Sequence, residues 1–198
     1  MQTASSDLLA RERDLNSTST ITLIVTLIVV SMTFGALIVA FMARSLNGRF
    51  WSHIQLPGTL WLSTAVLISS SVLFEFARRK LAANRIEAFH RLTLATIALS
   101  FLFLLCQIAA GYRILHAGVV LKNNPHSWFI FLFGGLHGLH IIAGLIGFTV
   151  LYRRTRERVS GPRYNMGTRV GARGVAIFWH YMDAMWLLLF GLLIFWRR

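Results

Sequence analysis

Five apolar blocks, each long enough to cross a bilayer, constrain this chain more than any other feature. They run from Ile21 to Ala43, Gly58 to Ala77, Leu92 to Tyr112, Trp128 to Tyr152 and Gly174 to Trp196, and each holds at least 20 residues. At a helical rise of about 1.5 Å, about 20 residues cover the hydrocarbon core. No water is present there to satisfy the backbone, so each span must bond its own N–H and C=O groups, as a helix does. Pro57, Pro125 and Pro162 all fall between the blocks, where a fixed φ and a missing N–H interrupt a helix at little cost. The predicted fold class is therefore all-α: an integral membrane bundle of five transmembrane helices over residues 21–198, behind a polar tail at residues 1–20. The tail ends in Asn16-Ser17-Thr18-Ser19-Thr20, a run that can cap the first span. That span is too long for a signal-peptide core.

Charge sets the orientation. The net charge is +13, which in a soluble protein would suggest nucleic acid. Here the basic residues sit in loops beside apolar spans, so no nucleic-acid partner is expected. Residues 1–20, 78–91 and 153–173 share one side and hold fourteen Lys and Arg; the other side holds six. This asymmetry places the N-terminus in the cytoplasm and the C-terminus in the periplasm. Residues 153–173, basic and interrupted by Gly161, Pro162, Gly167 and Gly171, read as a mobile surface loop. Trp51, Trp61, Trp128 and Trp196 lie near predicted outer ends, as an interfacial aromatic belt requires. Cys106 stands alone inside the third span, which excludes a disulfide framework and leaves it a packing residue.

Against this background a few ionisable groups stand out, because each titratable side chain at membrane depth costs about 2.5–3.5 kcal/mol on insertion scales. The fourth span carries Gly134-Gly135-Leu136-His137-Gly138-Leu139-His140, and the fifth carries Phe178-Trp179-His180-Tyr181-Met182-Asp183-Ala184-Met185-Trp186. Residues i and i+3 share a helix face, so His137 lies beside His140, and His180 beside Asp183, with Trp186 one turn further. His140 is about 18 Å and Asp183 about 14 Å from the same predicted membrane surface at helical rise. A cluster in which Asp183 accepts a hydrogen bond from a histidine is thus allowed. Gly134 and Gly138, and Ala143 and Gly147, form small-residue faces that let two helices approach.

Several readings of these groups are open. The first is an interhelical polar clasp formed by His137, His140, His180, Asp183 and Trp186, or a subunit interface built on them. Bis-histidine haem ligation is a second, although His180 alone could partner the two histidines of the fourth span. A di-metal site needs more carboxylates than Glu75 and Asp183, the acids within the spans. A proton path lacks acids in the first and third spans. Near the end of the second span, Glu75 stands beside Arg78, Arg79 and Lys80. A local ion pair is expected there, and the basic residues form a candidate rim for anionic lipid head groups. Serine hydroxyls such as Ser69, Ser70 and Ser71 can bond back to their own helix and need no further role.

The runs Gly135-Leu136-His137-Gly138-Leu139-His140 and Trp179-His180-Tyr181-Met182-Asp183-Ala184-Met185-Trp186 resemble the G-x-H-G-L-H and W-H-[FY]-x-D-x-x-W signatures of subunit III of the haem–copper oxidases. Leu60-Trp61-Leu62-Ser63-Thr64-Ala65-Val66-Leu67 is similar to the family's L-W-L-N-T-A-x-L segment. The resemblance covers residues from about 21 to 198. It implies a short, five-helix form without the first two helices of the seven-helix form. It further implies an accessory, non-catalytic subunit of a proton-translocating respiratory oxidase in the bacterial inner membrane. Such a subunit carries no haem or copper, those being held by partner subunits. It packs directly on subunit I, shares the complex with subunit II, and binds phospholipids. Quinol oxidases and nitric-oxide reductases with similar accessory chains are alternatives, and a bis-histidine membrane haem protein is the alternative from another class. The departures are specific. Ser31-Met32 stands where many members have Ser-Glu, Ala109-Ala110-Gly111 where some have an acid, and Ser63 where Asn is usual.

Overall fold

The computed structural model describes residues 2–46, 58–116, 125–157 and 162–195, and these form five helices and no strand. They are α1 (Gln2–Leu46), α2 (Thr59–Ala82), α3 (Ile86–His116), α4 (Pro125–Glu157) and α5 (Pro162–Phe195). Each contains a segment long and apolar enough to cross a membrane.

The helices match the five apolar blocks but outrun them. α1 continues back to Gln2, so the Ser/Thr run lies inside a helix and does not cap one. The carbonyl of Thr18 takes part in the helix, accepting from Thr22 Oγ1 at 2.9 Å, and Thr22 O accepts in turn from Thr26 Oγ1 at 2.8 Å. Residues 153–173, expected as a mobile loop, are mostly helix: α4 runs to Glu157 and α5 starts at Pro162. Proline suits a first helical position, because its fixed φ is helical and its missing N–H has no partner there in any case. Hydropathy loses a helix where it leaves the lipid, although the backbone has no reason to stop.

α2 and α3 form a tight antiparallel hairpin. The α2 terminus closes with Asn84 at φ 57°, a left-handed conformation that Asn tolerates better than most residues. Asn84 N–H bonds Leu81 O at 3.1 Å and Arg85 N–H bonds Lys80 O at 2.9 Å, a Schellman closure. Arg169 of α5 braces this turn, donating from Nη2 to Ala82 O (3.2 Å) and to the Asn84 Oδ1 (3.1 Å).

α5 is the hub, packing on α1, α2 and α4, while α3 lies against α2 and α4. α1 packs on α4 and α5, and among the described residues its backbone approaches neither α2 nor α3 closely. The interior is rich in aromatic rings, with Phe34, Phe41, Phe74, Phe103, Phe133, Phe148 and Trp179 fully buried. Lipid tails are as apolar as these side chains, so close packing and hydrogen bonds between helices, rather than escape from water, hold such a bundle.

Candidate functional site

α5 presents its polar residues and indoles to α2. Trp186 Nε1 donates to Thr64 Oγ1 at 2.9 Å, and Trp179 Nε1 donates to Ser70 Oγ at 3.2 Å. One residue along each helix, Ser71 Oγ and His180 Nδ1 are 2.6 Å apart. The two tryptophans are seven residues apart on α5, and their acceptors lie in reverse order on α2, as antiparallel helices require. Gln107 of α3 adds a bond from Nε2 to Ser63 Oγ at 3.3 Å. α2 therefore meets its neighbours through a column of hydroxyls.

His137 of α4 occupies the middle of the bundle with no exposure. Its ring lies 5.1 Å from that of Trp186 (α5), 5.9 Å from Phe103 (α3) and 6.5 Å from Phe34 (α1). Because Trp186 is bonded to Thr64, this aromatic box joins all five helices. Neither ring nitrogen of His137 has a hydrogen-bond partner among the described residues. His140, one turn on, is half-buried; its Nδ1 lies 2.7 Å from Leu136 O of its own helix, and its ring is 5.5 Å from Phe34.

His180 and Asp183 remain neighbours, with Nδ1 and Oδ2 3.9 Å apart. The Asp183 side chain is buried while that of His180 is 47% exposed; Ser71 is the hydroxyl beside the carboxylate, and neither oxygen has a partner at full hydrogen-bond geometry among the described residues. The five residues thus do not gather into one cluster. His180 and Asp183 stand together beside Ser71, His137 and Trp186 form the box, and His140 bonds its own backbone. Among the described residues no three His, Cys, Asp or Glu side chains converge.

The small-residue contact also falls elsewhere than at Gly134 and Gly138. A Cβ at Gly134 would meet open space, and at Gly138 only Leu104 at 3.9 Å. At Gly144 it would lie 2.8 Å from two atoms of the Trp179 ring, and at Gly147 3.4 Å from Val175. Gly144 is what lets the indole lie flat enough on α4 to reach Ser70.

At the α2 terminus, Arg78 holds Glu75 through two bonds, Nε to Oε2 and Nη2 to Oε1, each 2.9 Å, and Arg79 Nε reaches Oε1 at 3.3 Å. The Arg79 guanidinium also lies 5.9 Å from the Phe76 ring centre. Of the four tryptophans expected at outer ends, Trp61 and Trp128 are exposed; Trp51 and Trp196 lie outside the described residues.

These signatures have counterparts in known proteins. The profile of the cytochrome c oxidase subunit III family matches residues 12–198. The chain belongs to that family. It is 29% identical to cytochrome c oxidase subunit 3 of Corynebacterium diphtheriae over 140 residues, 70% of this chain and 65% of that protein. Against the protein of the same name from Thermostichus vulcanus it is 28% identical over 174 residues, 86% of this chain and 84% of that one. The Gallus gallus subunit 3 is 32% identical over 136 residues, 68% of this chain but 49% of its own length. The match therefore spans about half of the animal relative and most of a bacterial one.

Within this subunit III family member the departures are easy to place. Ser63, where Asn is usual, accepts the bond from Gln107. Met32 is 70% exposed on the outside of α1, while its neighbour Ser31 reaches Tyr181 OH of α5 at 2.5 Å. Thr64, Ser70, Ser71 and Phe103 were not among the expected site residues. Hydroxyls recurring at Ser63, Thr64, Ser70 and Ser71 put a polar stripe on one face of α2, although the two that accept from the indoles, Thr64 and Ser70, are six apart and the indoles seven.

Proposed function

We propose that this chain is the accessory subunit III of a proton-translocating terminal respiratory oxidase, in which it steadies the catalytic subunit and holds no haem or copper itself. The family match over residues 12–198 carries this reading. The relatives' shared name, cytochrome c oxidase subunit 3, supports cytochrome c over quinol as electron donor to the complex. Oxidase subunit I is the direct partner, subunit II shares the complex, and the setting is the bacterial inner membrane. The charge asymmetry supports a cytoplasmic N-terminus and a periplasmic C-terminus.

The geometry supports a structural role for the intramembrane polar groups. A bis-histidine haem would need two imidazoles facing each other across the macrocycle. Instead, aromatic rings occupy the space around His137, and His180 is turned toward Ser71. Trp186 and His180 clasp α5 to α2 through Thr64 and Ser71, with His137 packed against the Trp186 ring, Asp183 beside His180 and His140 against Phe34 of α1. At the end of α2, Lys80 and the charge that Arg78 and Arg79 retain beyond Glu75 form a rim for anionic phospholipid.

Purification of the tagged chain in mild detergent tests the assignment. Recovery with a haem–copper catalytic subunit is the expected result, and the chain isolated from that subunit should show no stoichiometric haem absorption. A haem band that vanishes on His140→Ala or His180→Ala would instead establish a haem protein.

A further inference from the structure

Three serines follow one another on α2, and the third behaves differently. Ser69 Oγ donates to Ala65 O and Ser70 Oγ to Leu67 O, each bond closing within the helix. Ser71 has no such bond among the described residues; its Oγ lies 2.6 Å from His180 Nδ1 of α5. The same hydroxyl stands beside the Asp183 carboxylate. His180 Nδ1 and Asp183 Oδ2 are 3.9 Å apart, too far for a direct bond. One hydroxyl thus lies between a base and an acid, and its hydrogen can turn to either. The depths agree. Ser71 is six residues from Ala77 and His180 six from Gly174, so each is about 9 Å inside its apolar block at helical rise.

The helices packed against α5 leave these three groups to one another. On α2 the next acid, Glu75, is held by Arg78 and Arg79. On α4, His137 packs on the Trp186 ring, and His140 Nδ1 lies 2.7 Å from Leu136 O. On α1, residues 18–43 include no Asp, Glu, His, Lys or Arg, and Ser31 is paired with Tyr181. The Asp183 side chain is 11% exposed against 47% for His180. In such surroundings an isolated carboxylate is costly, and a neutral acid bonded to a hydroxyl costs far less.

We propose that Ser71 relays a single proton between His180 and Asp183, which makes the α2–α5 contact a proton-binding site. In the unloaded form His180 Nδ1–H donates to Ser71 Oγ, and Ser71 O–H donates to the Asp183 carboxylate. Loading takes a proton from the aqueous phase at His180 Nε2, on the more exposed of the two side chains. The Nδ1 proton passes to Ser71 Oγ, and the original Ser71 hydroxyl proton passes to a carboxylate oxygen of Asp183. The loaded form is a neutral imidazole with its hydrogen on Nε2, an unchanged serine and a carboxylic acid. Both hydrogen bonds persist with their direction reversed, so α5 stays clasped to α2 in either form. Glu75 and Asp183 are the acids within the apolar blocks, and with Glu75 engaged by its arginines the relay ends at Asp183. The proposal does not depend on the subunit III assignment.

Solid-state NMR of the full chain in phospholipid bilayers, isotope-labelled at histidine nitrogen and aspartate carbon and titrated in pH, tests it. The two residues are assigned by the signals lost in His180→Gln and Asp183→Asn. One transition is expected: as pH falls, the Asp183 carboxylate becomes a carboxylic acid while the His180 hydrogen moves from Nδ1 to Nε2, at the same midpoint. Coupled groups titrate as a pair in this way. Ser71→Ala should abolish the shared midpoint, and Ser71→Thr, which keeps a hydroxyl, should restore it. A carboxylate that stays ionised beside a persistent imidazolium, or a His180 tautomer indifferent to the state of Asp183, would overturn the proposal. So would a shared midpoint that survives in Ser71→Ala. The parent chain alone separates the first two outcomes from the expected one, so the test stands even where a variant fails to fold.

Discussion

α1 and α5 both cross the membrane, but they are held by opposite means. α1 is the least buried of the five spans. It attaches through Phe34 and Phe41, which enter the bundle as knobs, and through the Ser31–Tyr181 pair. α5 carries an aspartate, a histidine and two indole N–H groups, and it is held on α2 by Trp186–Thr64, Trp179–Ser70 and His180–Ser71. Lipid solvates an apolar helix well, so α1 needs few ties to stay in place. A helix with polar groups has no such solvent and must bring its partners with it. Hydrogen bonding thus follows the polarity of the helix, and burial follows hydrogen bonding.

Four single substitutions and one double variant probe this contrast, with stability read from denaturation of the purified chain in detergent. Trp186→Ala should have the largest effect. It empties the centre of the aromatic box, removes the ring contacts with His137, Phe103 and Phe190, and should lower stability by about 3–5 kcal/mol. A loss below about 1 kcal/mol would mean that the box does not join the helices. Gly144→Ala comes next, because a Cβ 2.8 Å from the Trp179 ring forces the indole away from Ser70; overpacking of this kind costs about 1–3 kcal/mol. Ser70→Ala combined with Gly144→Ala should add little, and full additivity would separate the two contacts.

Thr64→Val keeps the shape but leaves the Trp186 N–H without an acceptor, a penalty of about 1–2 kcal/mol for a buried donor. Tyr181→Phe, on the α1 side, should do least, at about 0.6 kcal/mol or below, a usual value for one hydrogen bond between membrane helices. Ser31 Oγ retains its bond to Leu27 O at 2.7 Å, so nothing is orphaned by the change. If Tyr181→Phe proved as damaging as Thr64→Val, the contrast between α1 and α5 would fail.

Length and polarity made the five spans legible, because about 20 apolar residues have few alternatives to a membrane helix. The ends were not legible. Nothing in hydropathy reports that α1 runs back to Gln2 or that α5 starts at Pro162, because outside the lipid a helix is continued by its backbone and stopped by local turn chemistry. The site was legible residue by residue but not as an arrangement. The i,i+3 rule brought His180 near Asp183, as found. It also paired His137 with His140, whose rings share a neighbour in Phe34 but whose polar atoms go separate ways. Ser70 shows why the partners on α2 were missed. Its hydroxyl donates back to Leu67 O at 2.7 Å, as a local serine should, while its lone pairs accept from Trp179 across the interface. One hydroxyl satisfies both helices, and the local bond alone would account for the serine.

The bonds that hold α5 on α2 also impose an order in time. Ser71 and Ser70 precede their partners in the chain by 109 residues, and Thr64 precedes Trp186 by 122. When α5 leaves the ribosome, the hydroxyls that will pair with its indoles and imidazole have been made long before it. The most polar of the helix contacts is therefore made last, by a segment that arrives to find its acceptors already in place.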